Sequence, residues 1–343
     1  MARRTATMRQ VAERAGVSQA TVSLVLNNAP SNRVTEATRT RVMEAVAALD
    51  YRTNAFAKSL RSGQSGIVGF VSDEVASSPF AGRLLKGAQM QAWESGHIIL
   101  SVDTFGEQAL EASAIDMMLS YRVLGVIYAS MYHQVLEVPE ALAGVPTVVA
   151  NAQSLGGRFS SVFPDEVDGG YVATRQLIEA GHERIGYIDI QSPQSTLPAG
   201  IGRREGYRRA LEDAGLAADP RLVRYGTGVV EDGLELTAEL LDEHDAPTAI
   251  FCGNDRTAWG AYRALEARGL RVPHDVSIVG FDDQDTVAPY LDPGLTTMAL
   301  PYERMAREAV SLLLAENREE PRLHPLECSP VLRGSVASAK VRA

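Results

Sequence analysis

The chain is 343 residues long, with 45% hydrophobic and 22% charged residues, a composition typical of globular proteins with two or three domains. Its two cysteines, Cys252 and Cys328, are far apart and belong to no Cys/His cluster, which excludes a disulfide framework and a zinc site. The net charge of -10 conceals an asymmetry, because residues 1–66 contain ten basic and four acidic residues and carry +6, while the remainder carries -16. A basic end favours contact with a polyanion, although a solvated basic tail would show the same bias.

The beginning of the chain, 1–5, is basic, and no apolar segment of the kind found in secretory signal peptides follows it. No part of the sequence approaches the ~18 consecutive apolar residues that a membrane-spanning helix needs. We therefore expect a cytoplasmic protein with no membrane partner, no metal and no cofactor.

The first predicted helix begins after Thr7, whose hydroxyl can accept from the Gln10 amide while the Gln10 side chain reaches back, as in a capping box. Apolar residues then recur at the spacing of a helix with one buried face: Met8, Val11, Ala12 and Ala15. Gly16 is expected to end this helix, and Ser18 to cap a second one almost at once.

The second predicted helix has two different faces. Its apolar stripe is Val22, Val25 and Leu26, and its opposite face carries Gln19, Ala20, Ser23, Leu24 and Asn27. A third helix begins near Thr35 and buries Val42, Ala45, Val46 and Leu49. Two short helices joined by a tight glycine turn and braced by a third form a helix-turn-helix, whose second helix can read base edges in the major groove. A generic three-helix bundle would show the same periodicity, but the tight turn, the charge bias and the face of small residues favour DNA.

The next segment, 54–61, has a helix cap in Asn54 and helix-forming residues, but it spans only two turns. Isolated helices shorter than ~12–15 residues are marginal in water. We therefore expect this segment to fold only when a partner orders it, and 62–65 to form a linker.

From Gly66 onward, short apolar runs alternate with amphipathic stretches. The candidate strands are 66–71, 97–102, 125–128, 147–151, 184–188, 248–251 and 277–281, and the candidate helices include 80–95, 168–180, 203–214 and 257–268. Apolar strands separated by helices predict a parallel sheet covered on both faces. Ligands of such sheets bind beyond the carboxyl ends of the strands.

Spaced motifs run through nearly the whole chain. They lie at 8–18, 20–23, 25–27, 41–42, 49–55 and 59–61, and again at 181–182, 204–207, 254–255, 276–283 and 295–297. Together they resemble the LacI/GalR family of bacterial repressors. The resemblance implies an all-α helix-turn-helix DNA-binding domain and an α/β two-lobed sensing domain of the periplasmic-binding-protein type, with parallel sheets in Rossmann-like lobes.

The resemblance also implies a homodimeric repressor on a double-stranded, pseudo-palindromic operator. The second helix would occupy the major groove, and two copies of 54–61 would fold in the minor groove, where Leu60 would act as an apolar wedge. The residues expected to contact DNA are Thr7, Ser18, Gln19, Ala20, Thr21, Ser23, Leu24, Asn27, Asn54, Ala57, Lys58 and Leu60. Leu24 stands where the lac repressor has an arginine, so the base preference at that operator position should differ.

Along the whole chain, the resemblance implies three parts: a DNA-binding domain at 1–53, a hinge and linker at 54–65, and an effector-binding domain at 66–343. One lobe would comprise about 66–162 and 293–325, the other about 163–292 and 326–335, with crossings near 160–164, 292–296 and 323–327. The residues expected to bind the effector are Ser78, Phe80, Ser130, Asn151, Arg203, Asn254 and Asp282. Alternatively, Arg203 is a surface residue, Asn254 a helix cap and Asp282 a turn former.

At several positions this chain differs from the residues common in the family. Gly228 replaces an aromatic residue, Asn151-Ala152 replaces an Asp-Arg pair, Leu300 replaces a glutamine and Ser78 replaces an asparagine. The expected cleft is therefore less polar. A sugar is the leading expectation for the effector, and another metabolite or a phosphoprotein co-regulator is an alternative. Without leucine heptads near its end the chain should form a dimer and no tetramer, and 334–343 should be frayed.

Two other classes of protein fit the sequence less well than a regulator does. An enzyme on a Rossmann-like fold is disfavoured, because the sequence has no complete dinucleotide-binding or phosphate-binding loop and its six histidines are scattered. His182 is interpreted as structural. A ligand-binding or transport protein without DNA function is disfavoured by the predicted DNA-binding module.

Overall fold

The computed structural model describes residues 6–26, 34–51, 65–78, 81–316 and 320–340. The chain divides into two compact units, Met1–Ser65 and Gly66–Ala343, which we call the helical unit and the sensing unit. Among the described residues, no helix is both long enough and apolar enough to cross a membrane.

The helical unit contains α1 (Met8–Ala15), α2 (Gln19–Leu26) and α3 (Glu36–Ala48). The capping box of Thr7 and Gln10 is present, and Gly16 ends α1 in the left-handed region, with φ of 64°. Val11, Val22 and Val42, one from each helix, are completely buried against one another in a single core. The predicted helix-turn-helix is therefore confirmed, including its caps and its buried stripe.

The sensing unit contains fourteen described strands in two six-stranded sheets and one small ribbon. The strands are β1 (Ile67–Ser72), β2 (Ile98–Asp103), β3 (Val126–Ala129), β4 (Val135–Leu136), β5 (Thr147–Ala150), β6 (Gln153–Ser154), β7 (Ser160–Pro164), β8 (Ile185–Asp189), β9 (Val223–Tyr225), β10 (Ala249–Cys252), β11 (Ser277–Asp282), β12 (Thr296–Ala299), β13 (Leu323–Leu326) and β14 (Ser329–Val331). The first sheet has the order β13-β7-β5-β3-β1-β2 and the second β14-β12-β11-β10-β8-β9. Except for the antiparallel pair β12 and β14, neighbouring strands are parallel, as predicted.

Within the described residues, seven α-helices cover the sheets: α4 (Gly82–Glu94), α5 (Gln108–Ser120), α6 (Glu166–Glu179), α7 (Pro198–Asp213), α8 (Val230–Leu241), α9 (Asp255–Ala267) and α10 (Tyr302–Leu314). We call the first sheet with α4, α5 and α10 the first lobe, and the second sheet with α6 to α9 the second lobe. Helices α6 and α7 approach very closely at Gly206, where an added Cβ would lie 2.2 Å from the Val167 carbonyl oxygen. This close approach brings the first turn of α6 against the middle of α7.

The chain passes between the lobes three times, near 165, 300–301 and 327–328. The predicted crossing at 292–296 is wrong. Residues 291–293 form a bend inside the second lobe, and Thr296 begins a strand that pairs with β11. Residues 293–299 therefore belong to the second lobe, and the chain enters the first lobe only at α10.

The expectation of a frayed end is also wrong for 334–340, while 341–343 lie outside the described residues. Ser335 is completely buried, and its hydroxyl donates to the Ile278 carbonyl at 2.6 Å. His182 Nε2 lies 3.1 Å from the Ala337 carbonyl oxygen and Nδ1 lies 2.9 Å from the Thr248 hydroxyl. His182 is thus structural, as interpreted from the sequence, and it fixes the last described segment to the second lobe.

Candidate functional site

One face of α2 is open to solvent and built from small or polar side chains. Ser18, Gln19 and Ala20 are exposed, and Ser23 and Leu24 are half-buried. The Ser18 hydroxyl accepts from the Thr21 amide at 3.1 Å, so it satisfies one of the amides at the helix start. The helix therefore presents its first turns without a bulky side chain that would block entry into a groove.

In the sensing unit, the carboxyl ends of strands from both sheets meet at a cleft between the lobes, as expected for open parallel sheets. The cleft encloses a cavity of about 50 Å³, much smaller than the ~300–1,000 Å³ typical of small-molecule sites. Its polar lining is Tyr132, His133, Asn151, Glu166, Arg203, Asn254, Arg256, Asp282, Gln284 and Tyr302, and its apolar lining is Met131, Ile190, Ala199 and Leu300. The lobes therefore have to separate before a ligand of ordinary size can enter.

Arg203 lies at the centre of this lining and is 3% exposed. Its Nε donates to Glu166 Oε2 at 2.8 Å, and its Nη1 donates to Asp282 Oδ1 at 3.3 Å and to the Gly253 carbonyl. The guanidinium also stacks over the Phe281 ring, 3.8 Å from the ring centre. The local fold explains this placement, since α7 begins at Pro198 and carries Arg203 in its second turn, facing the start of α6.

Glu166 connects the two lobes. It belongs to the first turn of α6 in the second lobe, and its Oε1 lies 3.4 Å from Nδ1 of His133, which follows β3 in the first lobe. This contact lacks the alignment of a hydrogen bond. The His133 ring is fixed by stacking on Phe163, with ring centres 4.9 Å apart.

The carboxylates of the cleft differ in their ionisation. Burial raises the pKa of Glu166, but the Arg203 guanidinium and the neighbouring His133 ring together outweigh it and hold that pKa below its ordinary value. For Asp282, burial prevails over Arg203, so its pKa lies above the ordinary value. Burial and then the Asp282 charge raise the pKa of Asp255 well above its usual range. Of the three, Glu166 thus keeps its charge most readily and Asp255 least readily.

Two asparagines that line the cavity are held by the protein itself. Asn254 caps α9, accepting from the Thr257 amide at 2.8 Å and donating to the Gly228 carbonyl at 3.0 Å. Asn151 has a positive φ of 54° and donates from Nδ2 to the carbonyls of Ser130 and Met131, at 2.9 and 3.0 Å. Both side-chain amides therefore shape the cleft wall. The interpretation of Asn254 as a helix cap is correct.

Both parts of this architecture match known protein families. Residues 7–54 match the bacterial regulatory proteins of the lacI family, and residues 174–336 match the periplasmic binding protein-like domain. The HTH-type transcriptional regulator GalR of Escherichia coli (strain K12) is 34% identical over 343 residues, which cover 98% of each chain. The chain belongs to the LacI family.

Two solved structures resemble it along most of its length. The lac repressor dimer bound to operator and the anti-inducer ONPF is 26% identical, with a TM-score of 0.80 over 97% of this chain and 100% of that one. The complex of the transcriptional regulator CelR with cellobiose is 33% identical, with a TM-score of 0.65 over 96% and 99%. The predicted family and fold class are confirmed, and this LacI-family chain is a transcriptional regulator rather than an enzyme.

The structure brings together some of the predicted effector residues. Asn151, Arg203, Asn254 and Asp282 line the same cavity. Ser130 lies behind it and donates to Asp73 Oδ2 at 2.7 Å, and the Ser78 hydroxyl accepts from the Ala81 amide at 3.2 Å. Neither serine is part of the lining, so both act as supports for the first-lobe loops. Phe80, Asn27, Asn54, Ala57, Lys58 and Leu60 lie outside the described residues, as does most of the predicted hinge and linker.

Sequence reasoning missed His133, Glu166, Gln284 and Tyr302, which line the cavity. In the sequence, Glu166 resembles an ordinary acidic residue in the first turn of a helix, where a negative charge interacts favourably with the helix dipole. Gln284 follows a strand end directly after Asp282 and Asp283, and its position at a carboxyl end was an available signal. Among the described residues, no group of His, Cys, Asp and Glu is arranged to hold a metal ion.

Proposed function

We propose that this LacI-family protein acts in the cytoplasm as a homodimeric repressor on a pseudo-palindromic operator. A small molecule, foremost a polyhydroxylated compound, would control it from the cleft between the lobes. The observation that carries the proposal is one chain that combines the open face of α2 with a cleft of buried polar groups. The lac repressor, a dimer on its operator, and CelR, in complex with cellobiose, support the two halves of the proposal.

The direct test is an electrophoretic mobility shift with the DNA upstream of the protein's own gene. We expect a shift that weakens steeply as salt rises, because basic side chains displace counterions from phosphates. Scrambling one half-site should abolish it, since a dimer reads both halves. A shift that is indifferent to the palindrome would contradict the proposal.

Leu24 offers a test of which residues read bases. A leucine offers only apolar contact, for instance to a thymine methyl, whereas an arginine reads guanine with two hydrogen bonds. In a Leu24→Arg variant, we expect the preferred base at one position of each half-site to change to guanine, with a discrimination of about 1–3 kcal/mol. Affinities for a set of operators with single base-pair changes measure this.

The matched control is Met43→Arg, which adds the same charge at a 50% exposed position on α3. It should change the overall affinity and its salt dependence while leaving the base preference unchanged. An unchanged preference in Leu24→Arg would show that this side chain does not face the bases.

We propose that the dimer forms through the α4–β2 surface, which we define by Met90, Trp93 and Ile98. These side chains are 42%, 75% and 57% exposed, and β2 is an edge of the first sheet. Apolar patches and uncovered edge strands are typical of association surfaces. An Ile98→Lys variant should be monomeric by light scattering at concentrations at which the parent is dimeric, and Ile201→Lys, at a 42% exposed position on α7, should remain a dimer.

Control by a ligand requires that the cleft report on the angle between the lobes. Two described contacts join the lobes there: Arg83 Nη1 donates to the Asp283 carbonyl at 3.3 Å, and His133 lies against Glu166. A ligand that binds Glu166 changes the contact of Glu166 with His133 and therefore the contacts between the lobes. A linkage of only ~1–3 kcal/mol would alter operator affinity 5–150-fold.

A further inference from the structure

Two buried acceptors in the cleft have no hydrogen-bond donor. Glu166 is 4% exposed, and its Oε2 accepts from Arg203 while its Oε1 accepts no hydrogen bond. Gln284 is 5% exposed, and its Nε2 donates to Asp282 Oδ2 at 2.9 Å, which leaves its Oε1 without a partner. Both side chains line the cavity. Buried acceptors of this kind are normally satisfied, so a ligand that enters the cleft can supply the donors that these two oxygens lack.

The orientation of both groups is fixed by their neighbours. Because Nε2 of Gln284 faces a carboxylate oxygen, its Oε1 must face the other way. Glu166 cannot turn without losing Arg203 Nε. The side chain of Gln153 lies 3.1 Å from His133 Nε2, and a proton on His133 Nδ1 would point towards Glu166 Oε1 without hydrogen-bond alignment. Glu166 Oε1 thus keeps the capacity to accept from a ligand.

Nε and Nη1 of Arg203, a residue expected to bind the effector, are both engaged within the protein. Its three hydrogen bonds go to Glu166, Asp282 and the Gly253 carbonyl, and its face rests on Phe281. It is therefore a positioning residue, which holds the two carboxylates in place. The cavity lining carries two carboxylates and two guanidinium groups, those of Arg203 and Arg256. The carboxyl group of Asp255 accepts from the backbone amide of Gln284 at 2.6 Å.

We propose, on the basis of the ligand-controlled function above, that the effector carries a protonated amino group, which binds between Glu166 Oε1 and Gln284 Oε1. An ammonium group has three donors and no acceptor, which matches two acceptors of which one is a carboxylate oxygen. A hydroxyl group supplies one donor and leaves its own acceptors to be satisfied. Leu300 and Met131 form an apolar wall for the carbon skeleton. The chemical class is thus a small amine, and an amino-substituted sugar also agrees with the polyhydroxylated compound proposed above.

The test compares probes that differ only in the amine. Thermal unfolding of the full chain is followed in glucosamine against glucose, and in methylammonium chloride against sodium chloride. We expect the amine of each pair to raise the unfolding temperature more, because a ligand that binds only the folded state stabilises it by mass action. In Glu166→Gln, which places an amide where the carboxylate stood, the affinity for the amine should fall roughly tenfold or more.

Two further variants make the result interpretable. Gln284→Met removes the second acceptor at similar volume, and should lose the amine preference even if Glu166→Gln folds poorly. Glu235→Gln, at an exposed position on α8, should keep it. Equal stabilisation by both members of each pair, no stabilisation by either, or a preference that survives in Glu166→Gln and Gln284→Met would overturn the proposal.

The operator assay separates this inference from the function on which it rests. A neutral sugar that stabilises the chain and alters the operator shift would refute the amine while leaving the ligand-controlled regulator intact. An amine that stabilises the chain without any operator-specific shift would refute the regulator and keep the site.

Discussion

An Arg203→Met variant is expected to lose about 3–5 kcal/mol of the sensing unit's free energy of unfolding, because it leaves buried carboxylates without their cation. Glu166 and Asp282 both depend on this guanidinium, and neither has a second basic partner among the ion pairs described around the cleft except His133. The stacking contact with Phe281 disappears as well. Methionine keeps much of the length and bulk of the side chain, so the loss reports on charge rather than on a cavity.

Urea unfolding followed by tryptophan fluorescence measures this loss selectively. The chain has two tryptophans, Trp93 and Trp259, and both belong to the sensing unit. Variants have to be compared at one protein concentration, since association stabilises the folded state.

The matched control is Arg208→Met on the same helix, where an exposed arginine pairs with Glu205 and Glu212. Surface ion pairs contribute ~0–1 kcal/mol, so this variant should unfold almost like the parent. Equal losses at positions 203 and 208 would refute the buried network. In the double variant Glu166→Gln/Arg203→Met, the loss should be smaller than the sum of the two single losses by about 1–3 kcal/mol, as for residues in direct contact.

The parts of the fold that were predictable are those set by neighbours in sequence. The capping box at Thr7 and Gln10, the glycine at 16 and the apolar periodicity of the first three helices involve residues at most a few positions apart. The seven predicted strands also agree with the structure to within one or two residues at each end. Such elements depend on local backbone preferences and on one buried face, which a sequence displays directly.

The cleft was less predictable because its partners are distant in sequence. Arg203 and Glu166 are 37 positions apart and meet only because α6 and α7 pack closely at Gly206. The family resemblance identified Arg203 as a cleft residue, but nothing in the sequence displays the buried glutamate opposite it. The wrong crossing at 292–296 has a similar cause. Pro293 and Gly294 mark a turn, but only strand pairing shows that the chain stays in the second sheet.

A Val22→Asp variant is expected to reduce specific operator binding to the non-specific level, a loss of about 10³-fold or more. Val22 is completely buried in α2 and packs in the same small core as Val11 and Val42. A carboxylate without a partner is very costly there, and a helical unit of this size has only a few kcal/mol of stability to lose, on the order of 3–5 kcal/mol. Without its core, the unit cannot hold α2 in the shape that reads bases. Mobility-shift titrations of operator and scrambled DNA measure the loss.

The same substitution at an exposed valine separates this effect from the added charge. Val135→Asp changes a 48% exposed residue of the sensing unit and should leave operator affinity within a factor of about two. Because the helical and sensing units have separate cores, Val22→Asp should unfold in urea at the parent midpoint when followed by tryptophan fluorescence. Loss of operator binding together with a lowered fluorescence midpoint would mean that the two units are not independent. Retained binding in Val22→Asp would mean that the chain contacts operator through something other than α2.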